Sequence, residues 1–133
     1  MQRKIKFRIW CNNRFYYKCL VGNTTDTNDK NWTCPMVWLE DKKEWVNCDN
    51  GIISQYTGLK DKNGVEIYEG DIITFESGSG GREICLIYYD EQLLSLNMKW
   101  YPKGYVYDGL SYLRRKEKIE VIGNIYESEV TNE

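Results

Sequence analysis

A chain of 133 residues with 18 Lys and Arg against 20 Asp and Glu has the length of one domain. Its formal net charge of -2 argues against a dedicated nucleic-acid binder, which carries a basic excess. Histidine is absent, which excludes Ser–His and Cys–His nucleophilic catalysis and any His-ligated metal. A chain of this length buries roughly two-thirds of its unfolded surface, enough to fold without metal or disulfide.

The charge is uneven. Residues 1–39 hold seven bases and two acids, whereas residues 40–91 hold five bases and twelve acids. Such segments can dock on each other, within one copy or between two, or simply form two solvated faces of one fold. The five cysteines, Cys11, Cys19, Cys34, Cys48 and Cys85, make no C-x-x-C pair. Met1 to Lys6 is basic with no apolar run behind it, unlike a signal peptide. No stretch approaches the length of a membrane span. These features predict a cytoplasmic protein with free thiols, Cys11 and Cys85 serving as buried small hydrophobes.

In chain order, strand patterns come first. Ile5, Phe7, Ile9 and Cys11 alternate with Lys4, Lys6, Arg8 and Trp10, the period of a half-buried strand whose inner face is apolar. Asn12-Asn13 reads as a turn, and Phe15, Tyr17 and Cys19 as the returning strand of a hairpin. Asn, Thr and Asp without apolar periodicity make a loop of 22–30. Met36 to Leu39 and Trp45-Val46 are short strands around the charged turn 40–44, with Trp32, Trp38 and Trp45 supplying local burial.

Residues 51–59 lead into Asp61-Lys62-Asn63-Gly64, a tight-turn pattern because Asn and Gly tolerate positive φ. Val65 to Tyr68 is a short extended piece, Glu69-Gly70-Asp71 a second turn, and Ile72 to Phe75 a strand. Ser77 to Gly81 forms a hairpin tip. Glu83 to Tyr89 returns apolar on both faces, which predicts a central strand. Leu93 to Met98 reads as a further strand, Gly104 to Tyr107 as an aromatic extended piece, and Leu110 to Lys118 as modestly helical. Ile119 to Tyr126 is the final strand, in which Gly123 suggests a bulge, and the polar end is frayed. Short strands joined by Gly- and Asn-containing turns predict a mainly β fold, a small barrel or sandwich. A soft boundary near Asn50-Gly51 separates an N-terminal β hairpin or extension, 1–50, from a core of 51–130 within one compact unit.

Three stretches carry a family resemblance. Gln55-Tyr56-Thr57-Gly58-Leu59-Lys60-Asp61-Lys62-Asn63-Gly64, continuing Glu66-Ile67-Tyr68-Glu69-Gly70-Asp71-Ile72, resembles the central signature of the YopX family of bacteriophage and prophage proteins. Ile5-Lys6-Phe7-Arg8-Ile9-Trp10 resembles that family's start, and Val121 to Glu127 its close. Cys11 departs from the acidic residue common there, and the 23–30 and 92–118 segments match nothing in the pattern. The resemblance implies a small phage protein with an SH3-like, partly open barrel and the N-terminal β extension packed on it, in the host bacterial cytosol. It implies no activity and no site residue.

Asp61 to Glu66 superficially resembles half of a calcium loop, but a full loop places Gly sixth, and Gly64 stands fourth from Asp61. Glu66, Glu69 and Asp71 are close enough in sequence to share a cleft for acid–base work, yet their spacing equally suits a charged barrel rim. Ser77 to Arg82 lacks the Lys-Ser/Thr ending of a phosphate loop. No nucleophile–base pair or metal set can be assembled, so no catalytic residue, metal or cofactor is expected, and no small-molecule substrate is identified.

The informative stretch is Lys99 to Tyr107 with Tyr112, Arg114, Arg115, Lys116 and Lys118 after it. Aromatics interleaved with cations can stack nucleobases, anchor a protein partner, or lie in the core with snorkelling Lys stems. The binding candidates are Lys99, Trp100, Tyr101, Lys103, Tyr105, Arg114 and Arg115. The sequence thus predicts a non-enzymatic accessory module that binds a protein or a second copy of itself. A nucleic-acid-binding barrel using 99–118, with Lys4, Lys6 and Arg8, is the alternative.

Overall fold

A computed structural model of the chain describes residues 4–21, 35–115 and 118–127. The predicted loop of 22–30, Trp32, Cys34, Lys116 and the frayed end lie outside the described residues. The chain forms two compact units, Ile5–Gln55 and a second of Tyr56–Glu133 with Met1–Lys4. Both are built of strands, the mainly β fold that the alternation predicts.

In the first unit, β1 (Phe7–Cys11) and β2 (Arg14–Tyr16) form a hairpin with Trp10 opposite Phe15. Asn12 and Asn13, at φ 54° and 66°, make the two-residue connection that matches strand twist. The other edge of β1 pairs with the first half of β6 (Ile52–Lys60), from Phe7 opposite Gln55 to Trp10 opposite Ile52. A second sheet joins β3 (Cys19–Leu20), β4 (Met36–Leu39) and β5 (Glu44–Asn47). There Trp38 faces Trp45 edge-on with ring centroids 5.3 Å apart. Among the described residues its buried centre consists of Ile9, Cys11, Val37 and Cys48.

Four expectations are corrected here. Ile5 is 61% exposed and precedes β1, which starts at Phe7. Arg8, on the predicted outer face, is buried, its guanidinium 3.8 Å from the Phe15 ring centroid; stacking on an aromatic face lets a planar cation leave water. The returning strand stops at Tyr16, and Cys19 instead pairs with Val37 in the other sheet. Finally, Cys11 and Cys48 are not free thiols but are joined as a disulfide, with Cα atoms 6.5 Å apart. A partnership across 37 residues leaves no mark in local Cys spacing. Cys19 and Cys85 are free.

In the second unit, the latter half of β6 pairs with β7 (Glu66–Tyr68). The main sheet contains β8 (Asp71–Glu76), β9 (Arg82–Asp90), β10 (Ser95–Trp100) and β11 (Glu120–Asn124). Its order is β10-β9-β8-β11, antiparallel throughout and curled into a half-barrel. The two-faced apolar strand β9 is central, as predicted. A bulge falls between Val121 and Gly123, where the strand glycine indicates it. Ile67, Ile73, Phe75, Cys85, Ile87, Met98, Leu113 and Ile119 form the core.

Leu93 and Leu94 lie in a turn rather than in β10. Asp90 Oδ1 accepts the backbone N–H groups of Gln92 and Leu93, and Leu94 is 74% exposed at φ 56°. An Asp closing its own turn overrides an apolar pair. The helical stretch is a short 3₁₀ segment, Ser111–Arg115. Strand β11 ends at Asn124, whose Oδ1 accepts the N–H groups of Tyr126 and Glu127 and opens a helical turn. No helix among the described residues is long and apolar enough to cross a membrane.

Candidate functional site

Two polar regions of the second unit compete for the role of a site. The first is the corner at Asp61 and Asp71. Asp61 Oδ1 accepts the N–H groups of Asn63 and Val65 at 2.8 and 2.9 Å, and its Oδ2 accepts that of Val121 at 3.0 Å. Burial opposes the charge of Asp61, but these three backbone donors outweigh it and hold the carboxyl below the usual range. Asp71 is buried and accepts the Tyr68 N–H at 2.8 Å, while the Tyr68 hydroxyl donates to Glu66. Gly70 sits at φ 92°, and a Cβ there would stand 2.8 Å from the Tyr126 ring. Backbone groups therefore occupy Asp61 and Asp71, and the Tyr68 hydroxyl occupies Glu66. The corner closes turns.

The second region grows from the outer edge of β10. The chain after Trp100 reverses, so that Trp100 N donates to Tyr105 O at 2.8 Å and Tyr107 N to Met98 O at 3.0 Å. Gly104 allows this return: at φ 139°, a Cβ there would lie 2.6 Å from the Trp100 ring. Asn97, fully buried in β10, then fixes the segment. Its Nδ2 donates to Tyr107 O at 2.6 Å, and its Oδ1 accepts from Gly109 N at 2.8 Å. Glu83 adds a second anchor by accepting from Trp100 Nε1 at 3.0 Å and from the Tyr107 hydroxyl.

These anchors present a run of contacting rings. Trp100 meets Tyr105 at 5.8 Å between centroids, Tyr105 meets Tyr107 at 4.8 Å, and Tyr107 meets Tyr112 at 5.4 Å. Tyr112 rests in turn on the core residue Phe75 at 5.8 Å. Trp100, Tyr105 and Tyr112 are 43, 56 and 39% exposed, while Tyr107 between them is half-buried. The result is an open cleft of about 630 Å³ whose lining includes Tyr105, Tyr107, Asp108, Ser111, Tyr112 and Arg114. Its volume lies in the usual range of ligand sites. Burial, then the bond to Glu83, pushes the Tyr107 phenol well above its ordinary value, so it stays a neutral donor. Beneath the cleft, burial and the Glu83 charge push the Cys85 thiol up to about 12, which makes it inert.

The structure brings together only part of the predicted set. Tyr105 and Arg114 line the cleft, and Trp100 extends its wall. Lys99 alternates to the other face of β10, its Nζ 4.6 Å from the Tyr88 ring centroid. Tyr101 is half-buried with its N–H bonded to Ile84 O, and Lys103 is exposed in the reversing loop. Neither lines the cleft. The Arg115 side chain lies outside the described residues. Tyr107, Asp108, Ser111 and Tyr112, with the anchors Asn97 and Glu83, are absent from the predicted set. The available signal was Asn97 itself, a polar residue between Leu96 and Met98 that has to find buried partners.

Comparison with known proteins follows this geometry. The chain resembles the crystal structure of protein EF1440 from Enterococcus faecalis, at 24% identity and TM-score 0.59, covering 99% of this chain and 100% of that one. It also resembles the crystal structure of protein yopX from Bacillus subtilis, at 15% identity and TM-score 0.58, covering 92% and 93%. At such identities both likenesses concern the fold. No curated protein matches the chain. The family model described as YopX protein matches residues 6–130, nearly the whole length, and the chain therefore belongs to the YopX family.

Proposed function

We propose that the protein is a non-enzymatic phage or prophage accessory module of the host cytosol, an SH3-like barrel that engages a protein partner or a second copy through the aromatic cleft. The carrying observation is three solvent-facing rings, Trp100, Tyr105 and Tyr112, held in place by the buried Asn97 and the half-buried Glu83. Aromatic side chains lose little conformational entropy on binding and make strong interface anchors. Asp108 and Arg114 give the cleft charge of both signs. That mixture favours a protein over nucleic acid, whose phosphates demand a basic excess.

The test is affinity purification of the intact chain from lysogenic cells, with and without nuclease, beside sedimentation of the pure protein. Wild type retains a nuclease-resistant partner or self-associates, and the Tyr105→Ala/Tyr112→Ala double variant loses it. If the only partner disappears on nuclease treatment, the nucleic-acid reading replaces this one. If the double variant behaves as wild type, the cleft is not the contact surface.

A further inference from the structure

Three modes of peptide recognition are open to a small β domain: strand addition at a sheet edge, a helix in a groove, and an extended proline-rich segment on aromatic rings. The geometry of the β10 edge removes the first of them. Strand addition needs a free row of backbone donors and acceptors. Along this edge Trp100 N and Met98 O already bond to Tyr105 and Tyr107, and Lys99 bridges Val106. Side chains, not a backbone ladder, must then do the recognising at this surface.

Those side chains have a definite chemical bias. Tyr105, Ser111 and Arg114 carry hydrogen-bond donors beside the apolar ring faces of Tyr105, Tyr107 and Tyr112. The natural complement is a chain rich in carbonyl acceptors, poor in N–H donors, and already extended. Proline supplies all three, because its ring removes the N–H and fixes φ near that of the polyproline II helix. Such a segment also loses little entropy on docking. Asp108 adds one exposed carboxylate to the same lining, which complements a basic residue.

We infer that the cleft formed by Tyr105, Tyr107 and Tyr112 takes a proline-rich segment in the polyproline II conformation, with a flanking Arg or Lys directed to Asp108. The inference rests on the protein-binding reading above and narrows it to one class of partner. Prolines lie against the exposed faces of Tyr105 and Tyr112, Tyr107 forms the floor, and Arg114 donates to ligand carbonyls. The anchors Asn97, buried, and Glu83, half-buried, position this surface without touching the ligand.

The experiment titrates the full chain with a blocked peptide of about ten residues, mostly proline with one terminal Arg. A Gly/Ser peptide of equal length carrying the same Arg is the control, and calorimetry with tryptophan fluorescence is the readout. Saturable binding of the proline peptide is expected, at least ~10-fold tighter than the control and at least ~10-fold weaker in Tyr105→Ala. Tyr89→Ala, at an exposed tyrosine outside the cleft, keeps wild-type affinity. Asp108→Asn loses the preference for Arg over Glu at the peptide end. Circular dichroism verifies that each variant is folded. Absence of saturable binding, equal binding of the two peptides, or unchanged affinity in Tyr105→Ala overturns the inference. A failure here, while Tyr105→Ala/Tyr112→Ala still loses a nuclease-resistant partner, overturns the proline class alone. Failure of both experiments removes the protein-binding reading with it.

Discussion

The two units solve the problem of holding short strands together in different ways. Among its described residues, Ile5–Gln55 has a core of Ile9, Cys11, Val37 and Cys48, and half of these form the disulfide. Tyr56–Glu133 has a core cluster of eight buried hydrophobic residues and no cross-link among its described residues. It can therefore carry buried polar side chains, Asp61, Asp71, Asn97 and Asn124, which pin its turns and loops from inside. Each buried hydrophobic side chain contributes roughly 1.5–3 kcal/mol, so the larger core offsets more polar burial, although the first unit also buries Arg8 and Ser54. The lesson concerns function. A loop pinned by a buried Asn does not need its own aromatic residues for stability, and those rings stay available at the surface.

The largest effect that tests this contrast lies in the first unit. Closing a loop between residues 37 apart should contribute roughly 4 kcal/mol, so reduction or Cys11→Ala/Cys48→Ala should lower denaturant stability by about that much. An unchanged midpoint would mean that the small core suffices. Next comes Asp61→Ala, which leaves three N–H groups without their acceptor and should cost about 3 kcal/mol. The sign of its pH dependence is defined. The folded carboxyl sits below its unfolded value of about 3.9, so its stabilisation is full above that pH and fades as pH falls through the lower, folded value. Acid denaturation of Asp61→Asn should lack that component.

Asn97→Ala should cost about 2 kcal/mol by orphaning Gly109 N–H and the Tyr107 carbonyl. Amide exchange at Gly109 should accelerate more than exchange in β8, since the cleft loop loses its pin before the sheet does. Tyr107→Phe should cost about 1 kcal/mol. Because the folded phenol lies above its unfolded value of about 10, its contribution is complete below that pH and disappears as pH rises through the folded value. The variant should therefore show a flatter alkaline limb in thermal denaturation. The smallest effect is the most diagnostic: Tyr105→Ala should change stability by no more than about 0.5 kcal/mol, since the ring is 56% exposed. A large loss there would make the ring structural and dissolve the contrast between pinned backbone and spare side chain.

Much of the architecture was legible beforehand because alternation and turn chemistry are local. The β1–Asn12-Asn13 hairpin, the Trp38–Trp45 strand pair, the central β9 and the Gly123 bulge all follow from residues that act on their immediate neighbours. Failures occurred where a polar side chain acted at short range against an apolar pattern, as with Asp90 ending the Leu93-Leu94 run. Of the candidate cleft, the sequence marked the segment and two lining residues, Tyr105 and Arg114, but not Asp108 or Ser111. Interleaved aromatics and cations marked residues 99–118, whereas strand alternation separated Lys99 from Trp100 and a loop return gathered Tyr105, Tyr107 and Tyr112.

By itself, the sequence determined that the protein is mainly β, that it closes its corners with Asp, Asn and Gly, and that it belongs to the YopX family. Only the tertiary structure decided that Cys11 meets Cys48, that the Asp61 corner is consumed by backbone hydrogen bonds, and that four rings share one wall. The reason is distance along the chain. Periodicity and turn propensity are properties of adjacent residues, but Asp61 finds Val121 across 60 positions and Trp100 finds Glu83 across 17. Such partners are chosen by how strands fold over one another, and no local pattern records that choice.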